Sequence, residues 1–159
     1  AAEKRDRGES AEACRKWVEA NAYCVNSFFT VEDLKYLRKG GRVSAVLAIA
    51  GSLLNIKPIL RADGSRPAKI AFYARERGRK RALRALADEY AKFAVDPGQH
   101  VAYIAHGDCE QDALEVADMV RALGAKDVVL EYYDLCTGSH VGPGTVALFF
   151  WGKARRTVK

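Results

Sequence analysis

The chain has 159 residues, 49% of them hydrophobic, which is enough for one domain with a substantial buried core and excludes a chain that is disordered beyond its ends. Lysine and arginine outnumber aspartate and glutamate by 26 to 20, which gives a formal net charge of +6 and an isoelectric point near 9.2. The basic residues are dispersed among the acidic ones, so the charge by itself does not identify a nucleic-acid or protein partner.

The sequence predicts neither a membrane span nor a signal peptide. Its longest apolar stretch, residues 43–54, is well short of the roughly 20 residues that a transmembrane helix needs, and the N-terminus is charged. No pair of cysteines has Cys-x-x-Cys spacing, so we interpret them as free thiols of a cytoplasmic protein, with a disulfide or a metal site as the less favoured alternative. These cysteines are Cys14, Cys24, Cys109 and Cys136.

The first predicted elements are a helix and a short strand. Ser10 can cap a helix that runs to about Ala22 with a partial apolar stripe along one side. Residues 25–30 then favour a strand.

A charged helix is predicted to follow this strand. Thr30 is in a position to cap it, with Asp33 reaching back to the backbone. Phe29 and Leu34 occupy the two positions of a hydrophobic staple. Lys39 is expected in the last turn, where a cation suits the dipole of the helix.

A glycine turn is predicted to separate the charged helix from an almost wholly apolar one. Gly40 or Gly41 can adopt the left-handed conformation that ends a helix, and residues 43–54 are typical of a helix that is buried nearly all round. Arg42 lies at the corner between the two helices. Its fork of donors suits a carboxylate or a phosphate, whereas tying down a neighbouring loop is the simpler structural interpretation.

Two short apolar runs come next, at residues 56–60 and 68–73. Both favour strands, and Asp63-Gly64 between them is typical of a hairpin turn.

The densest basic run, RERGRKR at residues 75–81, is predicted to open an amphipathic helix. A solvated first turn is the simpler interpretation. Because cations at a helix N-terminus oppose the dipole, the alternative is a docking patch of Arg77, Arg79 and Lys80 for an acidic partner or a phosphate. A nucleic-acid groove is less favoured, since no aromatic residues are interleaved for base stacking.

The second half of the chain predicts a strand, a helix and a strand in succession. The strands are residues 100–106 and 128–133, and the helix between them is expected to start at Asp108, with Gln111 in the capping-box position, and to stop at Gly124. This order favours a right-handed βαβ unit. The apolar face of the helix is predicted to consist of Leu114, Ala117, Val120 and Leu123. Residues 145–151 predict a last strand.

His140 lies in the glycine-rich segment Thr-Gly-Ser-His-Val-Gly-Pro-Gly, residues 137–144, which we expect to be a loop between strands. A histidine there can donate a hydrogen bond to an anion while its other nitrogen is held by a neighbour, although a structural role is the commoner one. The proximity of Cys136 and Ser139 does not predict a nucleophile and base, because adjacent residues point apart and no acid is placed to orient the imidazole. The glycines precede a strand, so no helix dipole would face a phosphate, and no metal-ligand cluster is visible.

Two long stretches of the chain resemble one protein family. YLRKGGRVSAVLAIAGSLLNIKPIL resembles the signature of the C-terminal half of DegV-family fatty-acid-binding proteins, and TGSHVGPGTVALFF resembles the closing motif of that family. A Val-Ala-Tyr-Ile-Ala-His strand lies between them, as it does in the family. The resemblance therefore covers nearly the whole chain.

The resemblance implies an α/β fold, a two-layer α/β domain with a mixed β-sheet. Residues 1–159 would be a single domain similar to the C-terminal lipid-binding half of the family, without the N-terminal α/β domain. The ligand implied is a long-chain fatty acid, its carboxylate near Arg42 and His140 and its acyl chain in an apolar pocket. The loop-shaping residues would be Gly40, Gly41, Gly142, Pro143 and Gly144.

The resemblance also implies a role without chemistry at this domain. The carrier would present the fatty acid to a separate fatty acid kinase for phospholipid synthesis, with no catalytic residue, metal or cofactor of its own. A basic module for nucleic acid or protein is the alternative, and a hydrolase is less favoured. We further expect a chain without the N-terminal domain to self-associate through the face bearing Arg42 and His140, or to leave an open groove there.

Overall fold

The computed structural model describes residues 1–41, 55–65 and 70–155. In this part of the chain six strands form one sheet, in the order β3-β2-β1-β6-β4-β5. The strands are β1 (Val25–Thr30), β2 (Ile56–Ala62), β3 (Ile70–Arg77), β4 (Val101–His106), β5 (Asp127–Tyr132) and β6 (Val146–Trp151). The helices are α1 (Ala2–Asp6), α2 (Ala11–Asn21), α3 (Lys35–Lys39), α4 (Arg79–Phe93), α5 (Glu110–Ala122) and α6 (Leu135–Val141).

The sheet is mixed, which confirms the predicted α/β class. β4 and β5 pair in parallel and α5 connects them, so the predicted strand-helix-strand unit is present. The other pairings are antiparallel, with β1 between β2 and β6 and with β6 joining β1 to β4.

Hydrophobic side chains fill both faces of the sheet, because successive residues of a strand point to opposite sides. Phe28 belongs to the larger core, which packs under α4 and α5 through residues such as Leu83 and Leu86. Phe29, the next residue, belongs to a smaller core on the opposite face. The smaller core also contains Val31, Leu37, Leu60, Val141 and Ala147. α3 and α6 are therefore fixed on the face of the sheet that α4 and α5 leave free.

Several predicted boundaries at the N-terminal half are confirmed. Ser10 caps α2, where its hydroxyl oxygen accepts a hydrogen bond from the backbone nitrogen of Ala13 at 3.2 Å. α3 ends at Lys39, and Gly41, with φ of 68°, adopts the left-handed conformation. The apolar helix predicted at residues 43–54 lies outside the described residues, and so does Arg42.

The predicted cap at Thr30 is wrong. Thr30 is the last residue of β1 and pairs with Ile59 on one side and Val146 on the other, so its backbone stays in the sheet. α3 starts later, at Lys35, and the Asp33 carboxylate accepts a hydrogen bond from the Lys35 backbone nitrogen at 2.8 Å.

The predicted start of the basic helix is also wrong. Arg75 and Arg77 belong to β3, where they pair with Pro58 and Ile56, and α4 begins only at Arg79. Pairing with β2 is favoured because it provides hydrogen-bond partners for the backbone of residues 75–77. It also keeps two cations away from the N-terminus of the helix, where they would oppose the dipole.

The expectations for α5 need two corrections. Asp108 has φ of 51° and does not cap the helix; Cys109 is the N-cap, and its backbone nitrogen donates to Nδ1 of His106 at 3.4 Å. The buried face consists of Ala113, Val116, Ala117 and Val120. Leu114 and Leu123 are 37% and 41% exposed, because they lie outside the i, i+3, i+4, i+7 stripe that packs on the sheet.

In the ranges that the structure describes, no helix is long and apolar enough to cross a membrane. The four cysteines, all in those ranges, are not joined in disulfides.

Candidate functional site

His140 lies in the last turn of α6 and not in an open loop as predicted. The helix forms because Asp134 caps it: its carboxylate accepts the backbone nitrogen of Thr137 at 2.9 Å and the Thr137 hydroxyl at 2.6 Å. These hydrogen bonds, led by the hydroxyl, lower the pKa of Asp134. Gly142, with φ of 80°, ends the helix directly before the last strand. α6 therefore gives His140 a defined backbone position.

The imidazole of His140 lies against the glycine turn that ends α3. A methyl group at Gly40 would lie 2.5 Å from Nδ1 of His140, so no other residue fits there without movement. The structure thus brings together the two motifs that are far apart in the sequence. Arg42, two residues after Gly40, is outside the described residues, so its proximity to His140 stays a prediction.

Two further contacts hold the segment after α6 against the segment around α3. A methyl group at Gly142 would lie 2.5 Å from Cγ and 2.7 Å from Cε2 of Tyr36, so the tyrosine ring covers this glycine. A methyl group at Gly144 would lie 2.7 Å from Cβ of Glu32. The Gly144 backbone nitrogen also donates to the Gly107 carbonyl at 2.6 Å. Pro143, between these glycines, is exposed.

A network of charges lies behind this contact region. The Lys57 ammonium pairs with the Glu32 carboxylate and donates to the Glu32 carbonyl at 3.2 Å. Arg79 pairs with Asp112 at 2.7 Å and lies 4.0 Å from Glu32. Only 19% of the Arg79 side chain is exposed. Arg79 is therefore a member of this network, whereas Arg77 and Lys80, the other members of the predicted docking patch, are exposed.

Buried polar groups surround the same end of the sheet. His106 is 2% exposed, and its ring lies 4.2 Å from that of Tyr132. Burial raises the pKa of the Tyr133 phenol, which packs against the smaller core. The Thr30 hydroxyl is buried and has no hydrogen-bond partner among the described residues. Burial is also the main cause of the raised pKa of the Cys109 thiol.

The arrangement around His140 is not that of a nucleophile with its base. The hydroxyl of Ser139 donates to the carbonyl of Cys136 at 2.8 Å, and within the described residues no hydrogen bond joins Ser139 to His140. The imidazole faces Gly40 instead. What this geometry offers is an imidazole fixed beside a glycine turn, which suits anion binding better than acyl transfer.

Sequence reasoning missed the residues that hold the site together. Tyr36 stands at the start of the first motif, but its spacing to Gly142 cannot be read from a linear sequence. Glu32 and Gly107 carry no motif signal at all. The glycines of the second motif were the available clue, because repeated glycines indicate places where something approaches the backbone closely.

Comparison with known proteins agrees with the two motifs. Residues 1–153 match the family described as "Uncharacterised protein, DegV family". A DegV domain-containing protein of Clostridium perfringens is 38% identical over 156 residues, which make up 98% of this chain and 53% of that protein. The chain spans about half the length of the curated relatives it matches.

Solved structures show the same fold. A DegV family protein of Ruminococcus gnavus, described with vaccenic acid, has a TM-score of 0.84 and 26% identity, covering 93% of this chain and 52% of that one. A protein of Streptococcus agalactiae, described as a fatty acid binding DegV family protein, has a TM-score of 0.82 and 28% identity, covering 96% of this chain and 53% of that one. Since the family match extends over residues 1–153 and the fold agrees with these structures, the chain belongs to the DegV family.

Proposed function

We propose that this chain binds a long-chain fatty acid, with the carboxylate held between Arg42 and His140. The observation that carries the proposal is the contact between Gly40 and His140, which brings the two motifs to one place. The vaccenic acid described with the Ruminococcus gnavus protein and the fatty acid binding described for the Streptococcus agalactiae protein support the same ligand class. A carboxylate left unpaired in an apolar pocket would be strongly disfavoured, so a cation and an imidazole donor are the partners it requires.

The acyl chain supplies most of the affinity in this proposal. Burying each methylene stabilises the complex by about 0.8 kcal/mol before the cost of immobilising the ligand. The smaller core packs beneath α3 and α6, the helices on either side of the His140 contact, and residues 43–54 are nearly free of polar side chains. The carboxylate then sets the register of the chain in the pocket more than its affinity.

The domain acts as a carrier without chemistry of its own in this proposal, working in the cytoplasm. A fatty acid kinase, the partner that the family resemblance implies, would receive the carboxyl group. The exposed cations Arg77 and Lys80 are available to an acidic surface on that partner. Arg79 supports the fold through Asp112 and is removed from the docking patch.

The deciding experiment uses the purified protein. Lipid extracted from the purified protein and identified by mass spectrometry is expected to be a long-chain fatty acid. Calorimetric titration of the delipidated protein with palmitate is expected to show binding that His140→Ala weakens. A protein that carries no lipid and binds generic DNA with a steep loss of affinity as salt rises would support the nucleic-acid alternative instead.

Turnover of generic esters that is lost in His140→Ala would support the hydrolase alternative.

A further inference from the structure

We propose that Tyr36 is a positioning residue, whose ring keeps the His140 imidazole against Gly40 by covering Gly142. This inference rests on the proposed function, because it assigns a role in carboxylate binding to a residue that does not itself contact the carboxylate.

Tyr36 is connected to both sides of the His140 contact. On one side, its carbonyl accepts a hydrogen bond from the Gly40 backbone nitrogen at 3.0 Å, and Gly40 touches Nδ1 of His140. On the other side, its ring covers Gly142, two residues after His140. Tyr36 therefore contacts both the turn against which the imidazole lies and the residue that ends the helix of His140.

The Tyr36 ring acts through its face and not through its hydroxyl. Cδ2, Cγ and Cε2 are the ring atoms that a methyl group at Gly142 would meet. The opposite end of the loop has an anchor of its own, since Glu32 covers Gly144 and Gly107 accepts from the Gly144 nitrogen. The Gly142 end is held by the Tyr36 ring, by the hydrogen bond from its own nitrogen to the Gly138 carbonyl at 2.8 Å, and by the close packing of its carbonyl against Gly107. Phenylalanine should therefore replace Tyr36 without loss, whereas alanine should not.

The geometry predicts an effect on the carboxylate and not on the acyl chain. An imidazole that leaves Gly40 no longer presents its donor at one place, while the apolar pocket is unchanged. The affinity for palmitate should therefore fall, whereas the affinity for hexadecanol, which has the same chain without the carboxylate, should not change.

The test compares palmitate and hexadecanol binding to the protein by calorimetry. Tyr36→Ala should weaken palmitate binding at least tenfold and leave hexadecanol within twofold of the unsubstituted protein, and Tyr36→Phe should leave both unchanged. Arg38→Ala is the matched control, because Arg38 is an exposed residue of the same helix. Equal weakening of both ligands by Tyr36→Ala, or loss in Tyr36→Phe, would overturn the inference.

A second measurement reads the histidine directly. The NMR signals of the His140 ring, assigned with His140→Gln, should shift and broaden in Tyr36→Ala and stay in place in Tyr36→Phe; an unchanged His140 signal in Tyr36→Ala overturns the positioning role. If Tyr36→Ala does not fold, Tyr36→Leu, which keeps an apolar side chain without the ring, takes its place under the same criteria. Palmitate binding that His140→Ala leaves unchanged rejects the proposed carboxylate site, whereas binding weakened by His140→Ala but not by Tyr36→Ala rejects this inference alone.

Discussion

At Gly40 the backbone lies against a histidine ring, and at Gly142 it lies against a tyrosine ring. Neither contact leaves room for a side chain, and the positive φ at Gly142 adds a backbone reason for glycine. The glycines therefore determine the shape of this site as much as the charged residues do.

Gly142→Ala should destabilise the protein by more than its φ alone explains. Gly124 is the matched control, because its φ of 89° is similar and a methyl group there meets nothing within 4 Å. Gly124→Ala should cost about 1 kcal/mol of unfolding free energy, and Gly142→Ala roughly 1–3 kcal/mol more because it displaces Tyr36. Urea denaturation of both variants measures the difference, and equal costs would show that Tyr36 yields freely.

Arg42→Ala should cost at least about 2 kcal/mol of fatty-acid affinity, the scale of losing one partner of a buried charge pair. Arg42→Lys should restore only part of it, since an ammonium group cannot make the bidentate contact. Calorimetric titration with palmitate gives both values. Unchanged affinity in Arg42→Ala would remove this residue from the site.

The site depends on α6, the helix that carries His140, and Asp134 caps that helix. Because Thr137 lowers the pKa of Asp134 in the folded protein, the deprotonated carboxylate stabilises the fold. That contribution is fully present above the ordinary aspartate pKa of about 3.9 and is lost as pH falls through the lowered folded-state value.

Asp134→Ala should therefore lower stability at neutral pH, and the difference from the unsubstituted protein should shrink as pH falls below about 4. Amide hydrogen exchange should be faster at Gly138 and Gly142, the donors of the helix hydrogen bonds. A difference that stays constant down to the acid limit would show that the cap works through its shape and not through its charge.

The junction of β3 and α4 carries the exposed cations that we assign to a partner. Arg77→Glu combined with Lys80→Glu should weaken coupling to the fatty acid kinase and leave palmitate affinity unchanged. Arg79→Glu should lower stability instead, because it places a carboxylate beside Asp112 and Glu32. Kinase assays and thermal denaturation separate the two effects, and Lys16→Glu on α2 serves as the control for the charge change. A kinase rate unchanged in the double variant would return Arg77 and Lys80 to a solvated surface.

At the scale of the whole molecule, large apolar side chains are exposed at and near the start of α6. Leu135 at the start of α6 is 95% exposed, and Tyr132 at the end of β5 is 62% exposed. Apolar surface of this kind favours a covering partner. We expect this chain on its own to self-associate through the face that carries α6.

Sedimentation velocity should therefore show association that rises with concentration, and Leu135→Asp should reduce it. Val18→Asp on α2, where Val18 is 42% exposed, is the matched control. A monomer at all concentrations, or equal effects of the two substitutions, would contradict the expectation.

The sequence by itself determined the fold class, most strand positions and the two motifs. Alternating and continuous apolar runs predict strands wherever a segment buries its own side chains, as in β1 and β4. The same local reasoning was wrong at Thr30, Arg75 and Asp108. Thr30 and Asp108 have a local preference for starting a helix, whereas Arg75 is predicted there only because it opens the basic run. At Thr30 and Arg75 a strand partner distant in the sequence satisfies the backbone instead.

Only the tertiary structure decided how the site is assembled. Whether His140 faces Gly40, and whether Tyr36 covers Gly142, depends on where α3 and α6 lie on the sheet. That placement follows from the packing of the smaller core, whose buried members among the described residues come from five separate segments: Phe29, Val31, Leu37, Leu60, Val141 and Ala147. Contacts between segments have no periodicity in the sequence, because they are created by burial of whole elements and not by the neighbours of any one residue.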